Sequence, residues 1–327
     1  MMIDEIIGST KIERFAFFEK KLANINIPES VTAIGRYAFA KNNLTDVKLE
    51  SVSEIEEYAF FFNRITQVAL PKIISVSQFA FSNNQLIEIQ LSSGLISIEK
   101  YAFANNRLKT IVLPDSIASI GAFAFYNNEL KNITIPDTII SLGEFAFFNN
   151  KISSANIPEK LTVIPKGLFM NNGLIDMVIP NQVKTIEEYA FCNNNLTSIS
   201  IPNSVISIEY NAFTKNQIKK IVVEYGRGKD DPLVISKRTF DSDFYDFFTG
   251  NERKVGIYEL REIETENKKK SENWVFTNPY EILGVEQDAS QDDIKNAFLR
   301  FTRENHPDTG GDPQVFINIK KIFHFDI

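Results

Sequence analysis

The sequence predicts a mainly β solenoid of ten repeats of about 22 residues, laid along a parallel sheet and followed by a small α-helical module. Three observations carry this. A phenylalanine recurs at positions 17, 39, 60, 81, 103, 125, 147, 169, 191 and 213, spaced by 22 or 21 residues. Each is followed by a short alternating apolar stretch, as in Leu108-Lys109-Thr110-Ile111-Val112-Leu113. Beyond residue 278 the apolar period changes from two to that of a helix. Self-similarity at a fixed period of this length is the signature of a solenoid rather than of a globular sheet.

The first unit, residues 1–27, reads as an N-terminal capping repeat, because Lys20 stands where later repeats carry Asn. Residues 28–223 form the solenoid proper. Five residues before each Phe lies an aliphatic: Ile12, Ile34, Ile55, Val76, Ile98, Ile120, Leu142, Ile164, Ile186 and Ile208. Three residues after it lies Asn in nine units: Asn42, Asn63, Asn84, Asn106, Asn128, Asn150, Asn172, Asn194 and Asn216. In Ile111-Val112-Leu113, alternation puts Ile111 and Leu113 on one face and Val112 on the other. One short strand per repeat then stacks into a parallel sheet. The Pro that closes many strands (Pro71, Pro114, Pro136, Pro158, Pro180, Pro202) ends them, since it cannot donate to the ladder. The Phe fills the interior, and the Asn amide bridges backbone groups of successive turns, a structural ladder. No repeat buries its apolar face alone, so stability comes from neighbour stacking.

A second stripe lies two residues before each Phe: Phe15, Tyr37, Tyr58, Phe79, Tyr101, Phe123, Phe145 and Tyr189, broken at Gly167 and Asn211. Packing is its ordinary role, with an aromatic recognition stripe as the alternative. The outward sheet positions, from Asp46 and Lys48 to Lys220 and Val222, are small, mixed and mostly polar, without the Tyr, Trp or Arg that usually anchor interfaces. Either the face binds weakly over a wide area or the array is a spacer. The repeats, over residues 12–223, resemble BspA-type leucine-rich repeats in the variant A-F-x-x-N-x-L-x-x-[VI]-x-[IL]-P. That resemblance implies a leucine-rich-repeat solenoid that binds protein and performs no catalysis.

Residues 224–277 read as a C-terminal cap and linker. Phe240 to Phe248 suggests a short helix, and Val255–Leu260 and Trp274–Phe276 suggest two strands with a charged loop between them that includes Lys268-Lys269-Lys270. A solenoid end exposes apolar side chains and needs such cover.

Composition narrows the function. The net charge of −7 argues against a nucleic-acid or anionic-membrane binder. The single cysteine, Cys192, forms no intrachain disulfide and, with two histidines in the chain, makes a metal site improbable. No nucleophile–base pair, phosphate-cradling glycine loop or carboxylate pair stands out, so neither an enzyme nor a cofactor is expected. The stretch Met1–Lys11 has no apolar run of signal-peptide length, and no segment approaches the ~18 apolar residues of a membrane span. A cytoplasmic monomer is the expectation.

Residues 278–327 carry the most specific motif. Asn278-Pro279 opens a short helix into Tyr280-Glu281-Ile282-Leu283-Gly284-Val285. Ser290 caps a longer helix with Asp292 and Asp293 in its first turn, where negative charge suits the dipole. Ile294, Ala297, Phe298 and Phe301 form one buried stripe, and Phe316, Ile319, Ile322 and Phe323 form its counterpart on a last helix. Between the helices, His306-Pro307-Asp308 sits in a loop that Pro307 stiffens. This arrangement resembles a DnaJ-type J domain. The resemblance implies that His306, Pro307 and Asp308, with the basic Lys295, Arg300 and Arg303, dock on a DnaK-type chaperone and trigger its ATP hydrolysis. The repeats would then hold an unknown protein client. Leu299 replaces a usual basic residue, Glu304 and Asn305 precede the histidine, and the module's own charge is negative. With the sequence ending at Ile327, a short last helix and no fourth helix are expected. An interaction protein with a vestigial J module is the alternative.

Overall fold

The computed structural model describes residues 8–223, 234–235, 239–240, 257–259, 293, 296–297 and 300–301. The chain divides into two compact units, Met1–Glu262 and Ile263–Ile327.

The first unit is a solenoid in which each turn pairs in parallel with the next. Where the sequence suggested one strand per repeat, two flanks carry strands. On one flank, two-residue strands end on the conserved-phase aliphatic: Ser75–Val76, Ser97–Ile98, Ser119–Ile120 and Ser141–Leu142 form one parallel sheet with Ser75 opposite Ser97 and Val76 opposite Ile98. On the other flank run the anticipated strands, such as Gln67–Leu70 beside Glu88–Leu91 and Ser198–Ile201 beside Lys220–Val223. The first set is too short to show a period of two, so the sequence gives only its buried aliphatic.

Between the flanks the phenylalanines make one continuous column. Phe17, Phe39, Phe60, Phe81, Phe103, Phe125, Phe147, Phe169, Phe191 and Phe213 are all buried, with neighbouring rings stacked at centroid distances of 5.2 to 6.2 Å. Offset parallel stacking of this kind adds to the burial of each ring. Around the column the aliphatics of both flanks close a single core that runs from Ile12 to Phe240.

The period continues past Val223, where the sequence reading ended it. Val234–Ile235 pairs in parallel with Ser207–Ile208, and the Phe240 ring stacks on Phe213 at 5.2 Å. Phe213 N donates to Thr239 O at 2.8 Å, the bond that joins Phe to the residue before the next Phe throughout the array. Phe240 is therefore an eleventh rung, and the rest of the helix suggested up to Phe248 lies outside the described residues. A polar insertion at 224–233 had lengthened the spacing and hidden the repeat. The strand Ile257–Glu259 then pairs antiparallel with Lys220–Val222, and the reversal of direction stops the parallel stack on that flank. The second strand suggested at Trp274–Phe276 lies outside the described residues.

Each repeat also turns through two left-handed residues, two before and two after the Phe. The first set is aromatic: Phe15, Tyr37, Tyr58, Phe79, Tyr101, Phe123, Phe145 and Tyr189 have φ between 56° and 60°. The second includes Asn83, Asn105, Asn127, Asn149, Asn171 and Asn193, with φ between 54° and 57° apart from Asn171 at 53°. A non-glycine side chain in this region costs on the order of 1 kcal/mol, least for Asn. The aromatic column offsets that cost by stacking: seven rings from Phe15 to Phe145 lie at 4.6 to 5.0 Å from one another. The two interruptions now have a cause. Gly167 and Asn211 have φ of 58° and 57°, and Gly and Asn are the residues that adopt this conformation most readily. At Gly167 a Cβ would sit 2.2 Å from ring carbons of Phe145, so that ring occupies the missing side chain's place.

Candidate partner-binding surfaces and the C-terminal motif

The amides of the asparagine ladder are turned inward. Asn128 Nδ2 donates to Phe103 O at 3.0 Å, Phe125 O at 3.1 Å and Tyr126 O at 3.3 Å, while its Oδ1 accepts from Leu108 N at 3.1 Å. One side chain thus satisfies backbone groups of its own turn and of the turn before. The same arrangement holds from Asn42, whose Nδ2 donates to Phe17 O at 2.7 Å, to Asn216, whose Nδ2 donates to Phe191 O at 2.9 Å. Asn63, Asn84, Asn106, Asn150, Asn172 and Asn194 make the equivalent bonds to the preceding repeat's Phe carbonyl. These residues hold the fold, and their polar atoms are committed to backbone rather than offered to a partner. Lys20, in the first unit, is exposed.

A second asparagine ladder escaped the sequence reading. Asn105 Nδ2 donates to Asn83 Oδ1 at 3.2 Å, Asn127 to Asn105 at 2.9 Å, Asn149 to Asn127 at 2.8 Å and Asn193 to Asn171 at 2.9 Å. Its signal was the Asn-Asn pair, such as Asn127-Asn128, in which the first residue takes the left-handed turn and the second bridges inward.

The outward sheet positions are largely solvent-facing, with Val112 and Val178 the most exposed of the large apolar ones at 84% and 81%. The aromatic stripe is a packed layer instead. Phe79, Tyr101 and Tyr126 are buried in a separate cluster with Ala104, flanked by Tyr58, Phe61, Phe123 and Phe148. The rings stack on one another, so they turn their edges rather than their faces outward, which favours the packing role over recognition. Burial pushes the Tyr101 phenol above its ordinary value. Cys192 is buried, with Sγ 3.3 Å from Thr214 Oγ1.

In the second unit, Asp293, Asn296, Ala297, Arg300 and Phe301 are helical. Ala297 and Phe301, one turn apart, are buried, and Asn296 and Arg300, also one turn apart, are exposed. This is the amphipathic division that the spacing dictates, and it leaves Arg300 on the solvent side. His306, Pro307, Asp308, Lys295 and Arg303 lie outside the described residues. Among the described residues, no group of histidine, cysteine and carboxylate side chains could hold a metal ion, and no helix is long and apolar enough to cross a membrane.

Stacked parallel turns, an inward asparagine at nine of them and a polar outer sheet define a leucine-rich-repeat solenoid. The BspA type leucine rich repeat region family matches in six copies over residues 10–129 and 96–220, and the chain belongs to that family. Its C-terminal region matches the DnaJ domain family over residues 278–324. Over 55 residues the chain is 49% identical to a DnaJ protein homolog of Cucumis sativus, a match covering 17% of this chain and 13% of that protein. Chaperone protein dnaJ 3 of Arabidopsis thaliana is 46% identical over 55 residues, covering 17% of this chain and 12% of that protein. The chain thus spans about an eighth of the length of the curated relatives it matches. Among solved structures, the pneumococcal vaccine antigen PcpA aligns with a TM-score of 0.50 at 20% identity, covering 69% of this chain and 70% of that one, a likeness of fold.

Proposed function

We propose that this protein is a non-enzymatic J-domain co-chaperone of the cytoplasm, in which the C-terminal unit recruits and stimulates a DnaK-type ATPase. The solenoid either holds a protein client or spaces the J domain from its attachment. The observation that carries this reading is the DnaJ domain over residues 278–324, with His306-Pro307-Asp308 inside it. The rigid repeat array supports the second half: its amides are consumed internally, and its outer sheet is free to meet another chain. Arg300, exposed on its helix, supplies positive charge that would steer docking on an acidic partner surface. Leu299 and Glu304 work against that steering and favour the second reading, an interaction protein with an inactive J module.

Docking separates the two. The full chain should bind a DnaK-type chaperone in its ATP form and lose that binding in His306→Gln and Asp308→Asn. Arg300→Ala should bind more weakly, with most of its loss recovered at low salt. Absence of any nucleotide-dependent binding across the chaperones of the source cell would support the inactive-module reading.

A further inference from the structure

The solenoid treats its charges in two different ways. On the turn side, four cations are matched one or two repeats away, Lys11 with Glu56 at 2.7 Å, Arg36 with Glu57 at 3.1 Å, Lys41 with Glu19 at 3.0 Å and Lys166 with Glu188, while Arg14 and Lys100 lie over the rings of Phe15 and Tyr101. At the corner where the chain enters the outer sheet of the middle repeats, the pattern changes. Arg107 and Lys109 lie in one turn, Lys131 in the next and Lys151 in the third, all exposed. Glu129 is the carboxylate between them, and the exposed Glu88 and Asp176 lie on the flanking rungs. Glu129 takes the Lys151 ammonium at 2.9 Å, and the hydrogen bond from Lys151, with the more distant charges of Lys109 and Arg107, holds its carboxyl below the usual range. Among the described residues, Arg107, Lys109 and Lys131 close no ion pair within 4.0 Å.

The backbone fixes how close these groups are. Lys131 N donates to Lys109 O at 3.2 Å and Ser153 N to Lys131 O at 2.8 Å, so Lys109 and Lys131 occupy the same place on adjacent rungs. Rungs of a sheet are about 4.8 Å apart. Like charges side by side at that spacing oppose folding, and the attraction of Lys109 and Arg107 to Glu129 offsets only part of that. Asp115 and Asp137 lie past the prolines that end these strands, six residues from Lys109 and Lys131 respectively, about 20 Å along an extended path.

We propose that Arg107, Lys109, Lys131 and Lys151 form a docking site for an acidic, extended segment of a partner protein. The neighbouring outward positions suit such an occupant. Thr110, Asn132 and Ser154 present hydrogen-bonding side chains beside the cations, and Val112 offers an exposed apolar contact. Three rungs span about 10 Å, the reach of three or four extended residues. A nucleic acid is disfavoured by that short track and by the overall charge of −7, which repels a long polyanion. The site lies wholly on the solenoid, so it stands whether or not the J module is active.

The test is fluorescence anisotropy of the full chain with a labelled twelve-residue peptide of alternating Glu and Ser, at about 50 mM salt and again at several-fold higher salt. Wild type should bind, with affinity falling as salt rises. The double variant Lys109→Glu/Lys131→Glu should bind at least about tenfold more weakly, while Lys160→Glu, an exposed lysine elsewhere on the array, should bind as wild type. In the double variant the adjacent rungs still carry like charges, Glu in place of Lys, so its melting midpoint should lie close to that of wild type, which excludes misfolding as the cause. Equal binding by the double variant and wild type would overturn the proposal. So would no binding at low salt, or preferential binding of an oligothymidylate or of anionic vesicles over the peptide.

Discussion

Two columns of aromatic rings run side by side through the same repeats, and they are held for different reasons. In the inner column every ring from Phe17 to Phe240 is phenylalanine and buried. In the outer column Phe and Tyr interchange, and Gly167 and Asn211 interrupt it. Both are periodic, so recurrence alone does not tell them apart. The exceptions do. An inner position is set by volume in a closed core, which no smaller residue fills. An outer position is set first by a left-handed backbone, φ near 57°, which glycine and asparagine meet without aromatic help.

The contrast is sharpest at Phe125 and Phe123, neighbours in one turn. Phe125→Ala should destabilise by about 3–5 kcal/mol, the usual range for a buried Phe, read as a lowered denaturation midpoint. An unchanged midpoint would show that the inner column is not the core. Asn128→Ala comes next, at about 1–3 kcal/mol, because it strands Leu108 N in a dry interior and leaves the carbonyls of Phe103 and Phe125 with one donor each, Asn106 and Asn150. Gly167→Ala should cost about 1–2 kcal/mol, since a Cβ must displace the Phe145 ring and accept a positive φ. Phe123→Gly should cost less than Phe125→Gly by about 2 kcal/mol or more, because glycine removes the left-handed strain as it removes the ring. Equal costs for the two glycine variants would refute the distinction between the columns.

The smallest effect is electrostatic. Glu129 and Glu56 have carboxyls held below their ordinary value, foremost by hydrogen bonds from Lys151 and Lys11. Each therefore contributes stability at neutral pH that is lost as pH falls through the folded value, below about 4.5. Exposed pairs of this kind are worth under about 1 kcal/mol, so Glu129→Gln should shallow the acid limb of a stability–pH curve only slightly and leave the neutral plateau almost unmoved.

Much of the solenoid was legible because one constraint repeats ten times. Phe spacing, the inward Asn and the strand-ending Pro each follow from a single turn and are then confirmed by the next. What escaped had no such redundancy. The short flank strands, such as Ser97–Ile98, are two residues long and show no alternation. The eleventh rung at Ile235 and Phe240 follows an insertion that breaks the count. The left-handed turns are written in residue exceptions rather than in residue recurrence. In the C-terminal region the situation is reversed. His306-Pro307-Asp308 is specific without any repetition, because its signal is one tripeptide between two apolar periods of the sequence. The charges in the sequence around it are mixed, with Arg300 exposed on its helix and Leu299 and Glu304 close by in the chain.

The most direct test of the co-chaperone reading is single-turnover ATP hydrolysis by DnaK-type chaperones from the source cell, with the full chain added as wild type or as His306→Gln. The substitution lies in a polar stretch of the sequence and should change stability by no more than about 0.5 kcal/mol. The account predicts that wild type accelerates hydrolysis and that His306→Gln does not. Equal acceleration by both proteins would contradict it.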